Sequence, residues 1–439
     1  MPISSFMGLQ TALRGLLAQQ RALEVTSHNV SNANTVGYSR QEATMAATPG
    51  LKVPAGALQS GGGAMLGTGV DVEAYRRIRD TFIDLQYRAQ LMTLGDAATK
   101  TRSLDQAELT LSEPGENGIG HQLGQFWSAW ADLSNAPESP ATRRALVDQA
   151  ATLSASLNRL SAQFSTVQTQ ASAEYSAITG ASGDVASMAN EIAKLNAAIK
   201  DTLRGGGTAN DLMDRRDLLV DKLAKLAQVS VTDLGTGAIS LNFGDAAAPL
   251  VNDGTVTWPQ VLTAPGGKLG ALLSLSSATG TLASYKTDLN NFAKSLADTV
   301  NALHAPPNFF SYTLGNEAAT LAVAVTSAAV RASVTAAPGA NDIALAVAAL
   351  RGGAAEASYQ TLVTRIGSDV QDARRREATA EVLTNALEDR RQSTSGVSLD
   401  EEMQNIVRFQ RGYQASARAM STMDEMLDVL INRTGRVGL

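Results

Sequence analysis

The sequence predicts a mainly α-helical protein with a small inserted β domain, on three observations. Both ends carry apolar residues alternately three and four apart, and long blocks between them repeat that spacing. One stretch past the middle changes to short alternating runs bounded by turn residues. Composition agrees: 439 residues with 44% hydrophobic and 18% charged side chains suffice for a packed core, and 72 alanines against 5% aromatics suit closely packed helices.

At the N-terminus the seam is Phe6, Leu9, Leu13, Leu16, Gln20, Leu23, Ser27 and Val30. Its C-terminal counterpart is Leu399, Met403, Ile406, Gln410, Tyr413, Ala417, Met420, Asp424, Leu427 and Ile431. Each is a heptad stripe with polar intrusions, and a helix with so narrow a stripe needs a partner. The stripes either pack on one core, pair with each other as a coiled coil, or meet neighbouring subunits. Gly396 and Ser398 mark the start of the last helix, with Glu401 completing a capping box; Asp400 to Glu402 suit its positive end, and Arg433 and Arg436 its negative end.

Between the ends, Leu146 to Val167, Met188 to Ile199 and Leu282 to Leu303 form helical stripes, and a charged helical region surrounds Leu362 to Leu387. Gly205 to Gly207 reads as a helix stop. Helical spacing fails from Val229 to Leu275, where Val229-Ser230-Val231 and Ile239 to Phe243 read as strands. Pro306 to Gly353 reads as strand and turn. The expected domains are 1–40 with 398–439 as a terminal coiled coil, 41–228 with 281–397 as a discontinuous, elongated helical bundle, and 229–280 as a β-rich outer domain.

Candidate chemistry is sparse. With no cysteine there is no disulfide, thiolate metal site or Cys nucleophile, and His28, His121 and His304 lack metal-ligand spacing. No catalytic residue, cofactor site or metal site is therefore expected. Gly61 to Gly69 lacks the Gly-Lys-Ser/Thr ending of a phosphate loop and runs into Val70-Asp71-Val72, which reads as a strand. Asp214-Arg215-Arg216-Asp217 reads as a solvated or interface ion-pair face, and Phe126, Trp127 and Trp130 as core. A formal charge of −6 argues against nucleic acid, and no run approaches the ~20 apolar residues of a membrane span. The first basic residue is Arg14, with no charged leader before an apolar block, so no Sec-type leader is expected.

One segment stands apart. In Ser27 to Arg40, SHNVSNANTVGYSR, the residues Asn29, Asn32 and Asn34 favour caps and turns over a helix interior. Gly37 permits positive φ, and Tyr38 can anchor the extended chain that follows. The segment reads as a polar helix exit or as a hydrogen-bonded joint that contacts other subunits.

This segment resembles the shared N-terminal motif of the bacterial flagellar axial proteins, with His28 and Val30 where Asn and Ile are usual. Gly67 to Val70, followed by Arg77, Asp80, Phe82 and Gln86, is similar to the same group. Asn210 to Val220 (NDLMDRRDLLV), Phe126 to Ala145, and Ser395 to Glu402 with Phe409-Gln410 and Tyr413-Gln414-Ala415 resemble its hook-associated protein 1 family. The likeness covers 1–230 and 265–439.

The resemblance implies a structural, non-enzymatic component of the flagellum, assembled at the hook–filament junction, or alternatively a hook or distal-rod protein. It implies an inner coiled-coil layer from both termini and a projecting β domain. Expected partners are copies of the chain, the hook protein, the next junction protein and an export chaperone on the C-terminal helix, where Met403, Met420, Met423 and Met426 offer an adaptable apolar face. Export through the flagellar type III apparatus needs no cleaved leader. The expected assembly interface is Phe6, Leu9, Leu13, Leu16, Leu23, Asn29, Asn32, Asn34, Gly37, Tyr38, Met403, Ile406, Tyr413, Met420 and Leu427.

Overall fold

The computed structural model describes residues 6–53, 64–335, 337–429 and 431. Gly61 to Gly63, Arg433 and Arg436 lie outside the described residues, as do 1–5 and 432–439 of the expected terminal domain. The chain opens with helix α1 (Phe6–Ser31) and strands β1 (Gln41–Ala47), β2 (Leu51–Val53), β3 (Ala64–Leu66) and β4 (Val70–Arg77). Five helices follow: α2 (Thr81–Leu111), α3 (Ile119–Asn135), α4 (Pro140–Thr179), α5 (Asp184–Arg204) and α6 (Asn210–Leu226). A four-stranded antiparallel meander comes next, β5 (Val229–Asp233), β6 (Ile239–Phe243), β7 (Val251–Asn252) and β8 (Thr255–Val256). Then come α7 (Gly267–Ser276), α8 (Thr281–His304), β9 (Phe310–Ser311), α9 (Glu317–Thr320), β10 (Ala322–Val323) and α10 (Asp342–Ala348). The long α11 (Ala354–Ser395) and α12 (Leu399–Asp428) complete the described chain.

Local chemistry explains the boundaries. Asp80 caps α2 by accepting from the Phe82 and Ile83 amides at 2.8 and 3.3 Å, and Ser139 caps α4 just before Pro140 at the first helical position. α5 stops at Arg204, ahead of the three glycines. The β7–β8 hairpin turns on Asp253-Gly254, with Asp253 at φ 55° and its carboxylate held by Lys200.

The body is built around one core. Leu146, Leu153, Leu157 and Phe164 of α4 face Leu123, Phe126, Trp127 and Trp130 of α3 and Leu282, Tyr285, Leu289 and Phe292 of α8, all buried. Phe126 lies 5.7 Å from Phe310 between ring centres, and Trp130 lies 5.2 Å from Phe309. Ile239, Leu241 and Phe243 give β6 one buried face, on the alternation expected of a half-covered strand. Asn196 of α5 fastens the sheet: its Nδ2 donates to the Ile239 and Asp253 carbonyls at 3.0 and 2.7 Å, and its Oδ1 accepts from the Ile239 amide and from Arg216.

Several expectations need correction. The described residues within 41–77, a range assigned above to the helical bundle, form the antiparallel strand pairs β1–β4 and β2–β3, and β1 and β4 lie against α1. The segment 229–280 is β-rich only to Val256. Its end is helix α7, whose Leu269, Leu272 and Leu275, three residues apart, are buried in the body core. Pro306 to Gly353 contains helix α10 and helical turns beside its two short strands. The capping box of α12 is half formed: Ser398 Oγ accepts from the Glu401 amide at 3.4 Å, but the Glu401 carboxylate turns to Arg40 at 2.6 Å.

Candidate assembly surface

α1 and α12 pack antiparallel, and small residues set the contact. Gly8 faces Met423, Gly15 faces Ser416 and Gly412 faces Gln19, while Asn29 Nδ2 meets Glu402 at 3.3 Å. A Cβ on Gly412 would come within 2.8 Å of the Gln19 side chain, and one on Gly15 within 3.1 Å of Ser416 Oγ, so the helices approach more closely than bulkier residues permit. Ala18, Ala22, Thr26 and Asn29 are the buried residues of α1.

The large apolar seam is therefore not the contact between the two helices. Phe6 and Leu13 are 56% and 44% exposed, and Met403 and Tyr413 57% and 37%. Leu9, Leu16 and Leu23 are half-buried, as are Ile406, Met420 and Leu427. At 100° per residue, each seam is turned from its helix's contact stripe by about 70–120° in the same sense. Because the helices run antiparallel, equal rotations bring both seams to the same side of the pair. The strands cover the opposite side, where Arg14 donates to Thr48 and the Thr68 carbonyl and Arg21 pairs with Asp71 at 3.2 Å. A groove of about 500 Å³ runs between β1 and the pair, bordered by Val25, Arg408 and Phe409. The result is a helix pair with one covered face and one bare apolar face.

The motif after α1 closes its hydrogen bonds within the chain. Asn29 Oδ1 accepts from the Tyr38 hydroxyl at 2.8 Å and the Gln41 amide at 3.0 Å, and its Nδ2 donates to the Gln41 carbonyl at 2.9 Å. The side-chain amide thus pairs with β1 as a neighbouring strand would. Asn32 donates to the His28 carbonyl, and Gly37, at φ +81°, passes over Leu218 of α6. Burial first, then Asp211, Asp214 and Glu402, pushes the Tyr38 hydroxyl well above its ordinary pKa. Asn34 and Val36 are exposed.

A cluster absent from the expected site lies where the terminal pair meets the body. Arg77 reaches Asp214 and Asp217 at 2.8 and 2.9 Å; Arg79 reaches Asp84 and Asp217 at 2.5 and 2.9 Å. Arg88 meets Asp221 at 2.7 Å, and Arg391 meets Asp221 at 2.8 Å and Asp84 at 3.3 Å. None of the eight side chains is more than 17% exposed. The Asp214–Asp217 face is thus a buried interface, not a solvated one. Burial pushes Asp214 up, whereas at Asp217 burial is outweighed by Arg79, Arg77 and Arg88, which hold it below the ordinary carboxylate value. The arginines come from positions 77 to 391, so no local spacing announces them.

Among the described residues, no group of three His, Asp or Glu is placed to hold a metal, and no helix is long and apolar enough to cross a membrane.

Comparison with known proteins places these features. Residues 104–264 match the family model of the flagellar hook-associated protein FlgK helical domain. Residues 9–38 match that of the flagella basal body rod protein, and residues 390–433 the flagellar basal body rod FlgEFG protein C-terminal model. Flagellar hook-associated protein 1 of Bacillus subtilis is 30% identical over 507 residues, covering 98% of this chain and 99% of the relative. That of Escherichia coli K12 is 25% identical over 557 residues, covering 97% of this chain and 99% of the relative. The latter alignment is longer than the 439 residues here, so part of that relative faces gaps. The solved hook junction protein FlgK of Burkholderia pseudomallei is 24% identical at a TM-score of 0.45, over 50% of this chain and 44% of that one. By its full-length likeness the chain belongs to the flagellar hook-associated protein 1 family, structural components of the bacterial flagellum at the junction of hook and filament.

Proposed function

We propose that the chain assembles with copies of itself at the hook tip, docking through the bare face of its terminal helix pair. One observation carries this reading: Leu9, Leu13, Leu16, Met403 and Tyr413 line one side of the α1–α12 pair that, among the described residues, stays open, while β1 and β4 protect the other. An apolar face of that length is stable in water only when a neighbour covers it. The domains expected above supply the layers: 1–40 with 398–439 inside, the helical body around it, and the sheet projecting. The hook protein on one side and the next junction protein on the other are the proposed axial neighbours. Export proceeds without a cleaved leader, a chaperone holding α12 through Met403 and Met426 until release. The role is mechanical, with no catalytic step.

The test adds purified protein to isolated hooks and images their distal ends by electron microscopy. The expected result is a short, self-limiting segment at the tips, lost in Leu13→Asp and in Leu427→Asp while the body stays folded. Long tubes formed without hooks would instead indicate a hook or rod protein, and normal segments from both variants would refute docking by this face.

A further inference from the structure

The chain crosses between the terminal unit (the helix pair with β1 and β4) and the body twice, at 78–80 and at 396–398, and the loop 32–40 from α1 to β1 touches the body on its way. The buried arginine–aspartate cluster ties every crossing. The Ser39 amide of the loop donates to Asp214 at 2.9 Å; Arg77 precedes the first crossing and Arg79 lies within it; Arg391 stands near the end of α11, ahead of the second. The crossings are also tied to each other, the Arg40 amide donating to the Ser395 carbonyl and the Ile78 amide to the Arg40 carbonyl, both at 2.8 Å.

The pairing is shared. Asp217 serves Arg77 and Arg79 directly, with Arg88 at 3.7 Å; Asp214 serves Arg77, with Arg79 at 3.7 Å; Asp221 serves Arg88 and Arg391; Asp84 serves Arg79 and Arg391. A buried charge without a partner is very costly, whereas a replacement ion pair of similar geometry is not. Rotation of the terminal pair that left an arginine facing no carboxylate is strongly opposed. Rotation that hands Arg79 from Asp217 to Asp214, which already lies 3.7 Å away, keeps its charge compensated.

We infer that this cluster is an electrostatic lock that holds the terminal helix pair at a set angle to the body and lets it move only between discrete settings. Two three-residue linkers would by themselves leave that angle free. Buried ionic groups of this kind select geometry more than they add stability.

The test uses the full chain, whose lack of cysteine makes site-specific spin labelling clean. Labels at Gln414→Cys of α12 and Lys194→Cys of α5, both exposed, report the distance between pair and body by pulsed electron paramagnetic resonance; labels at Gln10→Cys and Gln414→Cys report the pair itself. The lock predicts one narrow distance, or a few resolved ones, between pair and body. Arg79→Lys keeps the charge but loses the fork that spans Asp84 and Asp217, and Asp217→Asn removes the most shared carboxylate. Each should roughly double the width of that distribution, with the α1–α12 distance unchanged. Asp288→Asn, which breaks the exposed Arg365 pair, should leave it unaltered. If Asp217→Asn fails to fold, Arg79→Lys decides alone. A broad distribution in the parent chain, from an open pair or a loose joint, overturns the inference, as does an unchanged width in the folded variants. Hooks play no part, so this result and that of the docking experiment stand apart.

Discussion

Two helix contacts in this molecule obey different rules. Where α3, α4 and α8 meet, large side chains interdigitate: Phe126, Trp130, Phe164 and Phe292 are fully buried, and the contact is complete within one chain. Where α1 and α12 meet, glycine, alanine and serine let the backbones close up, and the large apolar residues are displaced to a flank that the described residues leave half-exposed. The first contact is a core in the usual sense, rewarded by buried area. The second buries little, and the proposed docking would complete it. A stripe of leucines therefore marks an apolar face, and does not say whether that face turns inward or outward.

That contrast can be broken or sharpened experimentally. Trp130→Ala should have the largest effect, removing the centre of the aromatic cluster and costing about 3–5 kcal/mol in denaturant unfolding of the body. Asn196→Ala should follow, leaving the buried Ile239 amide and Arg216 short of a partner at a cost of about 1–3 kcal/mol. Next comes pH. His304 is fully buried, its Nδ1 donating to the Pro307 carbonyl and its Nε2 accepting from the Arg331 amide at 2.9 Å. Burial lowers its pKa below the ordinary 6.5, so protons bind the unfolded chain first. Body stability should hold above about pH 6.5 and decline as pH falls below it, and His304→Asn should flatten that decline in melting experiments between pH 7 and about 5.5. The smallest effect on stability belongs to Leu13→Asp, within about 0.5 kcal/mol because the side chain is already half exposed. A loss there comparable to that of Trp130→Ala would mean that the terminal seam is a closed core after all.

Much of the body was legible in advance. Phe126, Trp127 and Trp130 read as core and are core, the glycine stop after Arg204 ends α5, and the alternation at Ile239 to Phe243 is a strand. α7 was hidden because a Leu-rich run of only ten residues, from Gly267 to Ser276, is too short for its period to separate helix from strand. In the candidate surface, Leu9, Leu13, Leu16 and Met403 were visible as an apolar stripe. Gly8, Gly15 and Gly412 were not, because close approach is a property of two surfaces, and a glycine in one helix is uninformative until its neighbour is known.

The sequence by itself determined the family, the mainly helical class, the long terminal helices with their apolar stripes, and the aromatic core. These depend on local spacing and on motifs such as SHNVSNANTVGYSR, which are written along the chain. Only the tertiary structure decided which stripe pairs α1 with α12, which side of that pair stays bare, and that Arg77, Arg79, Arg88 and Arg391 converge on four aspartates. Periodicity records what a helix face is made of. What that face meets depends on distances between segments hundreds of residues apart, and those are set when the chain closes.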